Sequence, residues 1–209
     1  MDGLPLEFYL TFWDILAHDL LTVFKEFETL DRLPDSFRAG IVSLLHKKGD
    51  KTDLRNWRPI TLLNFDCKLF SKILSARMST VLEDVIHPDQ SCAVPGRKIT
   101  DSLVLIRDVI CYARDRNIRL AVLNLDFEKA FDRVSHQFLF QVLDKMGFPD
   151  RFIAWVGLLY KGIISRMLVN GHVSKKVYPV YPLSPLLYVA CIEPLAQILR
   201  RDKWIKGLE

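Results

Sequence analysis

The feature that most constrains the fold is a nearly continuous apolar run, RLAVLNLDF, which occupies residues 119–127. Runs of this length and composition are typical of strands buried on both faces. An acid, Asp126, stands at the C-terminal end of the run, where a buried strand would reach the edge of its sheet. Helical patterns dominate the rest of the chain, with apolar residues recurring at three- and four-residue spacing. The sequence therefore predicts a mixed α+β fold with more helix than strand and helices over 6–29, 65–82, 101–116, 135–146, 150–161 and 184–201.

Two β-hairpins are predicted outside that run. Ile41–Leu45 and Pro59–Leu63 are short β-type segments joined by a basic connection that contains the turn KKGD. Residues 163–179 form a second hairpin pattern around Asn170-Gly171, a pair that favours a type I′ turn. We expect these segments to belong to a small antiparallel sheet.

Composition excludes several classes of protein. Half of the 209 residues are apolar and 26% are charged, which excludes a disordered or fibrous chain. The four cysteines and five histidines are scattered, so no zinc site is predicted and reduced thiols are expected. The start of the chain lacks the basic region of a signal peptide. The apolar run Phe152–Tyr160 is too short for a membrane span, so we expect an intracellular chain without membrane association, in the nucleus or the cytoplasm.

Charge is distributed unevenly along the chain. Residues 1–37 carry eight acids and two bases, whereas 38–58 carry six bases and two acids. Residues 151–177 carry five bases and no acid. The two basic segments could face one polyanion, or they could be ordinary solvated surfaces.

Acidic residues suggest where chemistry could occur. Asp126, Glu128 and Asp132 lie within seven residues, and Mg²⁺ in proteins is held by one or two carboxylates together with substrate phosphates. Glu128 and Asp132 also suit the start of a helix, where the helix dipole favours acids. We prefer that second interpretation for these two residues and retain Asp126 as the candidate ligand.

The string NLDFEKAFDRVSH at 124–136 resembles the first catalytic motif of reverse transcriptases from non-LTR (LINE-type) retrotransposons. Further strings resemble the same family in the same order: DGLPLEFY at 2–9, LLHKKGD at 44–50, NWRPITLLN at 56–64, HPDQSCAVPGR at 87–97, MLVNGH at 167–172 and PLSPLLYVACIEPLAQ at 182–197. The resemblance covers essentially the whole chain. It implies the fingers and an incomplete palm of a right-hand polymerase, with a fingers-like region over 1–118 and a partial palm over 119–209.

The resemblance also assigns catalytic roles. It implies that Asp126 binds catalytic Mg²⁺, with the backbone carbonyl of Phe127 beside it. Phe131 is similar to the steric gate that favours deoxynucleotides, because a ring there clashes with a ribose 2′-hydroxyl. Without the resemblance, Phe131 would be assigned to a packed helix face.

Basic and polar residues are assigned by the same resemblance. Lys47, Lys48 and Arg58 match finger residues that approach the incoming triphosphate, and the guanidinium fork of arginine suits phosphate. Gln90 and Arg97 lie in a loop that is similar to a template-contacting segment. The implied partners are an RNA template, a DNA primer and deoxynucleotide triphosphates.

Two departures from the family pattern predict lost activity. The family has Arg-Gln-Gly-Cys before Pro-Leu-Ser-Pro, whereas this chain has Tyr178–Tyr181, in which Pro179 lacks an amide donor and Val180 is β-branched. The Tyr/Phe-x-Asp-Asp motif, which supplies further metal ligands in the family, does not occur in these 209 residues. We therefore expect a truncated reverse transcriptase domain that is catalytically inactive. The alternative is a non-catalytic remnant that binds RNA or an RNA/DNA duplex.

Overall fold

The computed structural model describes residues 4–127, 130–131, 133–177 and 185–205. These residues form helices and four strands, with the strands in two consecutive pairs between groups of helices, in keeping with the predicted α+β class. The helices are α1 (Leu6–Thr11), α2 (Trp13–Leu30), α3 (Asp35–Arg38), α4 (Phe65–Val85), α5 (Ile99–Asp115), α6 (His136–Lys145), α7 (Asp150–Tyr160) and α8 (Pro185–Arg201). The strands are β1 (Ala39–His46), β2 (Trp57–Leu63), β3 (Ile164–Val169) and β4 (His172–Val177).

The chain divides into two compact units. The first contains residues 1–74 and 149–181, and the second contains residues 75–148 and 182–209. The boundary falls within α4, between Leu74 and Ser75.

The first unit contains a four-stranded sheet in the order β2-β1-β3-β4. β1 pairs with β2 and β3 with β4 in antiparallel fashion, which confirms both predicted hairpins. β1 and β3 are parallel, so the sheet is mixed, whereas the sequence suggested an antiparallel one. Asn170 and Gly171 both have positive φ (49° and 78°), as a type I′ turn requires.

An aromatic cluster forms the core of the first unit. Phe27 and Phe70 are each only 1% exposed, and their ring centroids lie 5.5 Å apart in an edge-on arrangement. Phe24 and Phe37 complete the cluster, with Phe37 4.9 Å from Phe27. Edge-on and tilted ring pairs contribute about 0.5–1.5 kcal/mol each beyond their buried area, so the cluster ties α2, α3 and α4 together.

The core of the second unit lies between α6 and α8, which pack against each other. Leu139 and Leu143 of α6 and Val189 and Ala190 of α8 are almost completely buried. Glu193 of α8 is also fully buried, and its Oε1 accepts a hydrogen bond from the Arg200 guanidinium. The pairing with Arg200 offsets part of the cost of burying this carboxyl group, whose Oε2 is buried without a hydrogen-bond partner.

The predicted buried strand over 119–127 is wrong. The structure gives these residues no regular secondary structure, and all of them are exposed, with Leu123 at 79% and Val122 at 62%. A strand forms only when a neighbouring strand satisfies its backbone hydrogen bonds, and none of the described strands pairs with this segment. Apolar composition alone therefore did not make the segment a strand.

Candidate functional site

Asp126 lies in the second unit, near the end of segment 119–127, which has no regular secondary structure. Its side chain is exposed, and the neighbouring Phe127 is 45% exposed. Both residues are therefore open to solvent, as residues that contact a substrate must be. Glu128 and Asp132, the other acids of the motif, lie outside the described residues.

Phe131 contacts Tyr188 of α8. The two ring centroids are 4.8 Å apart and the rings are tilted by 46°. Phe131 is 41% exposed and lies in a turn before α6, so the structure does not place it in a packed helix face. One side of the Phe131 ring therefore packs against Tyr188, and the rest of the ring is accessible to solvent.

Tyr188 was not identified from the sequence. Burial raises the pKa of its phenol, and electrostatic interaction with Cys191 and Asp126 acts in the same direction. The hydroxyl therefore remains a neutral donor at physiological pH. The only sequence signal was its position in the first turn of the helix that begins at Pro185.

The described residues do not fit a complete metal centre. None of them form a group of three or more His, Cys, Asp or Glu side chains suited to holding a metal ion. Asp126 supplies one hard oxygen ligand, whereas nucleotide transfer by two metal ions needs several ligands that fix the separation of the ions. No catalytic step through a metal ion can be derived from this ligand set.

The connection between β1 and β2, in the first unit, displays Lys47 and Lys48. Both side chains are exposed, as is Arg58 on β2. The loop is closed by its own backbone and side chains: Lys47 N–H donates to the Asn56 carbonyl at 2.8 Å, and Asn56 Nδ2 donates to the Asp50 carbonyl at 2.9 Å. Gly49 has φ of +81°, and a Cβ there would lie 2.8 Å from Asn56 Nδ2, so glycine is required for this closure.

The acids of this loop are occupied by local partners. Asp50 Oδ1 accepts from Thr52 N–H at 2.8 Å, which lowers the pKa of Asp50. Asp53 accepts several hydrogen bonds from the Arg55 side chain and backbone, which lower its pKa. Asp53 is paired with Arg55, whereas none of the ion pairs among the described residues involves Lys47, Lys48 or Arg58.

Gln90 and Arg97 meet in the loop that follows α4 in the second unit. The Arg97 guanidinium donates to four backbone carbonyls, those of Glu83, Ile86, His87 and Gln90, at 2.6–3.3 Å. Gln90 Oε1 accepts from Cys92 N–H at 3.2 Å. Both side chains therefore organise this loop, and their contact with a template stays a prediction.

The residues that depart from the family pattern, Tyr178–Tyr181, lie outside the described residues, as do Leu183 and Ser184. In the described part of the chain, no helix combines the length and the apolar character that crossing a bilayer requires.

Comparison with known proteins places this geometry in context. Residues 45–206 match the family described as reverse transcriptase (RNA-dependent DNA polymerase). The match begins near the end of β1. It includes the basic connection between β1 and β2, strand β2 itself and the segment around Asp126.

Individual relatives agree with that match. The chain is 42% identical over 207 residues to a transposon TX1 uncharacterized 149 kDa protein of Xenopus laevis, an alignment that covers 96% of this chain and 16% of that protein. It is 28% identical to a retrovirus-related Pol polyprotein from the type-1 retrotransposable element R2 of Popillia japonica, over 84% of this chain and 25% of that protein. It is 30% identical to a probable RNA-directed DNA polymerase from the transposon X-element of Drosophila melanogaster, over 54% of this chain and 13% of that protein. The chain thus spans a quarter or less of the length of these relatives.

Proposed function

The chain belongs to the reverse transcriptase family, and we propose that it forms the fingers and part of the palm of a non-LTR retrotransposon polymerase that copies RNA into DNA. In this proposal residues 1–118 are fingers-like and residues 119–209 belong to the palm. The observation that carries the proposal is the hairpin formed by β1, β2 and their basic connection. Its cations Lys47, Lys48 and Arg58 are exposed, while its acids Asp50 and Asp53 accept hydrogen bonds from neighbouring residues of the connection. An exposed set of two lysines and an arginine suits the triphosphate of an incoming nucleotide.

Each site residue has a proposed role. Lys47, Lys48 and Arg58 bind the triphosphate, and Phe131 excludes a ribose 2′-hydroxyl. The exposed ring of Phe131, held against Tyr188, supports that role because a gate must be fixed in position and reach the substrate. Gln90 and Arg97 lie on the path of the RNA template.

The family generally uses divalent metal ions. We propose Asp126 as one carboxylate ligand for Mg²⁺, with the carbonyl of Phe127 beside it. One carboxylate does not hold two ions at a fixed separation. We therefore propose that these 209 residues alone bind substrates without polymerising them.

Binding of a deoxynucleotide tests this proposal. We expect labelled dTTP to bind the chain in equilibrium dialysis and Arg58→Ala to weaken binding on the order of tenfold, since a charge-assisted hydrogen bond is lost. Arg55→Ala is the matched control, because it removes the same charge three residues before Arg58, from an arginine that is already paired with Asp53. Equal dTTP affinity in wild type and Arg58→Ala, or no dTTP binding by the wild type, would refute the nucleotide-binding role.

A further inference from the structure

Helix α2 carries a stripe of exposed side chains along most of its length. Positions separated by four, four, three and four residues lie within an arc of about 80° around the axis of an α-helix, because each turn contains 3.6 residues. Ile15, Asp19, Val23, Glu26 and Leu30 follow this spacing, and all five are exposed. We call this set the α2 stripe. Apolar and acidic residues alternate along it from one end to the other.

The apolar members of the α2 stripe lie outside the core of the first unit. Ile15, Val23 and Leu30 are 70%, 37% and 61% exposed. Another side of α2 enters the core through Phe24 and Phe27, which are 7% and 1% exposed. Separations of eight and seven residues keep the three apolar side chains of the stripe on one face over several turns. They are therefore placed to pack against a second helix that crosses α2 at a small angle.

The acids of the α2 stripe are not neutralised within the described part of the chain. None of the ion pairs among the described residues involves Asp19 or Glu26. Lys25 is the only lysine or arginine of α2, and it lies about 120° around the helix axis from the centre of the stripe. The stripe thus combines exposed apolar side chains with a local excess of negative charge.

Two other acids of this region are used to fix the helix in place. Arg151 Nη2 donates to Glu28 Oε2 at 2.6 Å, and Lys161 Nζ pairs with Asp31, the residue that follows α2. Both cations belong to the same compact unit as α2. The stripe is therefore presented by a helix that is held along its buried side and at its C-terminal end.

Charge determines which class of molecule fits this surface. Residues 1–37 carry eight acids and two bases, so nucleic acids and acidic lipid surfaces are repelled. Asp19 and Glu26 lie at nearly equal distances on either side of Val23, so a second copy of the stripe packed against the first would bring acid against acid in either orientation. Like charges in contact across an interface are unfavourable. A helix with basic side chains beside an apolar face complements the stripe.

We propose that the α2 stripe docks a basic amphipathic helix of another protein. Apolar side chains of that helix pack against Ile15, Val23 and Leu30, and lysines or arginines seven residues apart pair with Asp19 and Glu26, which are themselves seven residues apart. None of these five residues belongs to the proposed nucleotide, metal or template sites. The inference is therefore independent of the proposed function.

Fluorescence anisotropy with a labelled peptide tests the docking site on the 209-residue chain. The peptide has three heptads with leucine at positions a and d and lysine at positions e and g, where lysines repel each other and prevent self-association. We expect the wild type to bind it at low salt and Asp19→Asn/Glu26→Gln to bind on the order of tenfold more weakly, with a smaller salt dependence. Glu83→Gln/Asp84→Asn is the matched control, since it removes two charges from exposed acids of α4 and should bind as the wild type does.

A second pair of variants tests the apolar half of the stripe. Ile15→Ala/Leu30→Ala should also bind the peptide on the order of tenfold more weakly, because apolar area that the peptide would bury is lost. Both side chains are largely exposed, so the thermal unfolding midpoint should stay close to that of the wild type. Leu54→Ala is the control, because Leu54 is 75% exposed in the same unit but lies outside α2.

Several results would overturn the inference. These are absence of peptide binding by the wild type at low salt, wild-type affinity in either stripe variant, and equal affinity for a peptide that carries glutamate at positions e and g. Dimerisation of the wild type in sedimentation experiments that Ile15→Ala/Leu30→Ala abolishes would assign the stripe to a second copy of the chain instead. Binding of dTTP should be the same in the wild type and in all of these variants, so failure of the docking site leaves the proposed function untouched.

Discussion

At the residue scale, the contact between Phe131 and Tyr188 explains how a partly exposed ring keeps a defined position. Phe131 comes from a turn, which offers little constraint of its own. Tyr188 comes from the first turn of α8, whose next residues, Val189 and Ala190, are buried in the core. The ring of Phe131 is therefore supported by a residue that the core of the second unit immobilises.

The buried thiol of Cys191 makes stability depend on pH. Burial raises the pKa of Cys191 from its ordinary value near 9 to about 12. Because the pKa is raised in the folded chain, the unfolded chain loses this proton first as the pH rises. The contribution of the protonated thiol to the free energy of unfolding is therefore fully present below pH 9 and is lost as the pH rises towards 12.

We predict that this group lowers the free energy of unfolding by about 1.4 kcal/mol per pH unit between pH 9 and 12. Urea unfolding under reducing conditions measures this as the difference between the wild type and Cys191→Ala, which removes the ionisable group. Cys111→Ala, at an exposed thiol, is the control and should retain the pH dependence of the wild type. A Cys191→Ala variant with the same pH dependence as the wild type would contradict the prediction.

At the scale of secondary structure elements, Arg97 determines how α4 ends. The last carbonyls of a helix lack partners within the helix. The Arg97 guanidinium reaches back across the loop and donates to the carbonyls of Glu83 and Ile86, and it also binds those of His87 and Gln90. One side chain thus ends the helix and fixes the loop that leads to α5.

We predict that Arg97→Ala lowers the free energy of unfolding by about 2 kcal/mol, because four carbonyls lose a charged donor. Chemical denaturation measures the loss, and Arg97→Lys should recover part of it, since an ammonium group cannot reach all four acceptors. Lys98→Ala removes an adjacent exposed charge and should change stability by less than about 0.5 kcal/mol. Equal stability of the Arg97→Ala and Lys98→Ala variants would show that the hydrogen bonds contribute nothing.

At the scale of the whole molecule, apolar surface remains uncovered in the second unit. Leu103, Val104, Leu105 and Ile106 of α5 are each at least 45% exposed. Segment 119–127 adds Leu123 and Leu125 at 79% and 55%. Leu103–Ile106 are consecutive, so the exposed apolar side chains of α5 are distributed around the helix and are not confined to one face.

The ligand set of the described residues leads to a prediction about activity. A labelled DNA primer annealed to an RNA template should not be extended by the 209-residue chain with Mg²⁺ or Mn²⁺, because in the described part of the chain no group of carboxylates around Asp126 positions two ions. Asp126→Ala should give the same background, and a complete reverse transcriptase in the same mixture is the positive control. Incorporation by the wild type that disappears in Asp126→Ala would overturn the predicted inactivity.

Local pattern was sufficient for most helices and for both hairpins. Apolar spacing located α4, α6, α7 and α8 to within a few residues, and Asn170-Gly171 specified its turn through the positive φ of both residues. These features depend on neighbours in the sequence, which is why they could be predicted. The family membership was likewise carried by strings of consecutive residues, and the comparison confirmed it.

Pairing and burial were decided only by the tertiary structure. The segment 119–127 has the composition of a buried strand but lacks a hydrogen-bonding neighbour among the described strands, and composition does not supply one. The parallel pairing of β1 with β3 joins residues more than a hundred positions apart and brings Arg58, Arg166 and Lys176 to one face. The sequence by itself determined which residues carry charge and which segments are helical. The fold decided which charges share a surface, because strand order depends on contacts that no local pattern encodes.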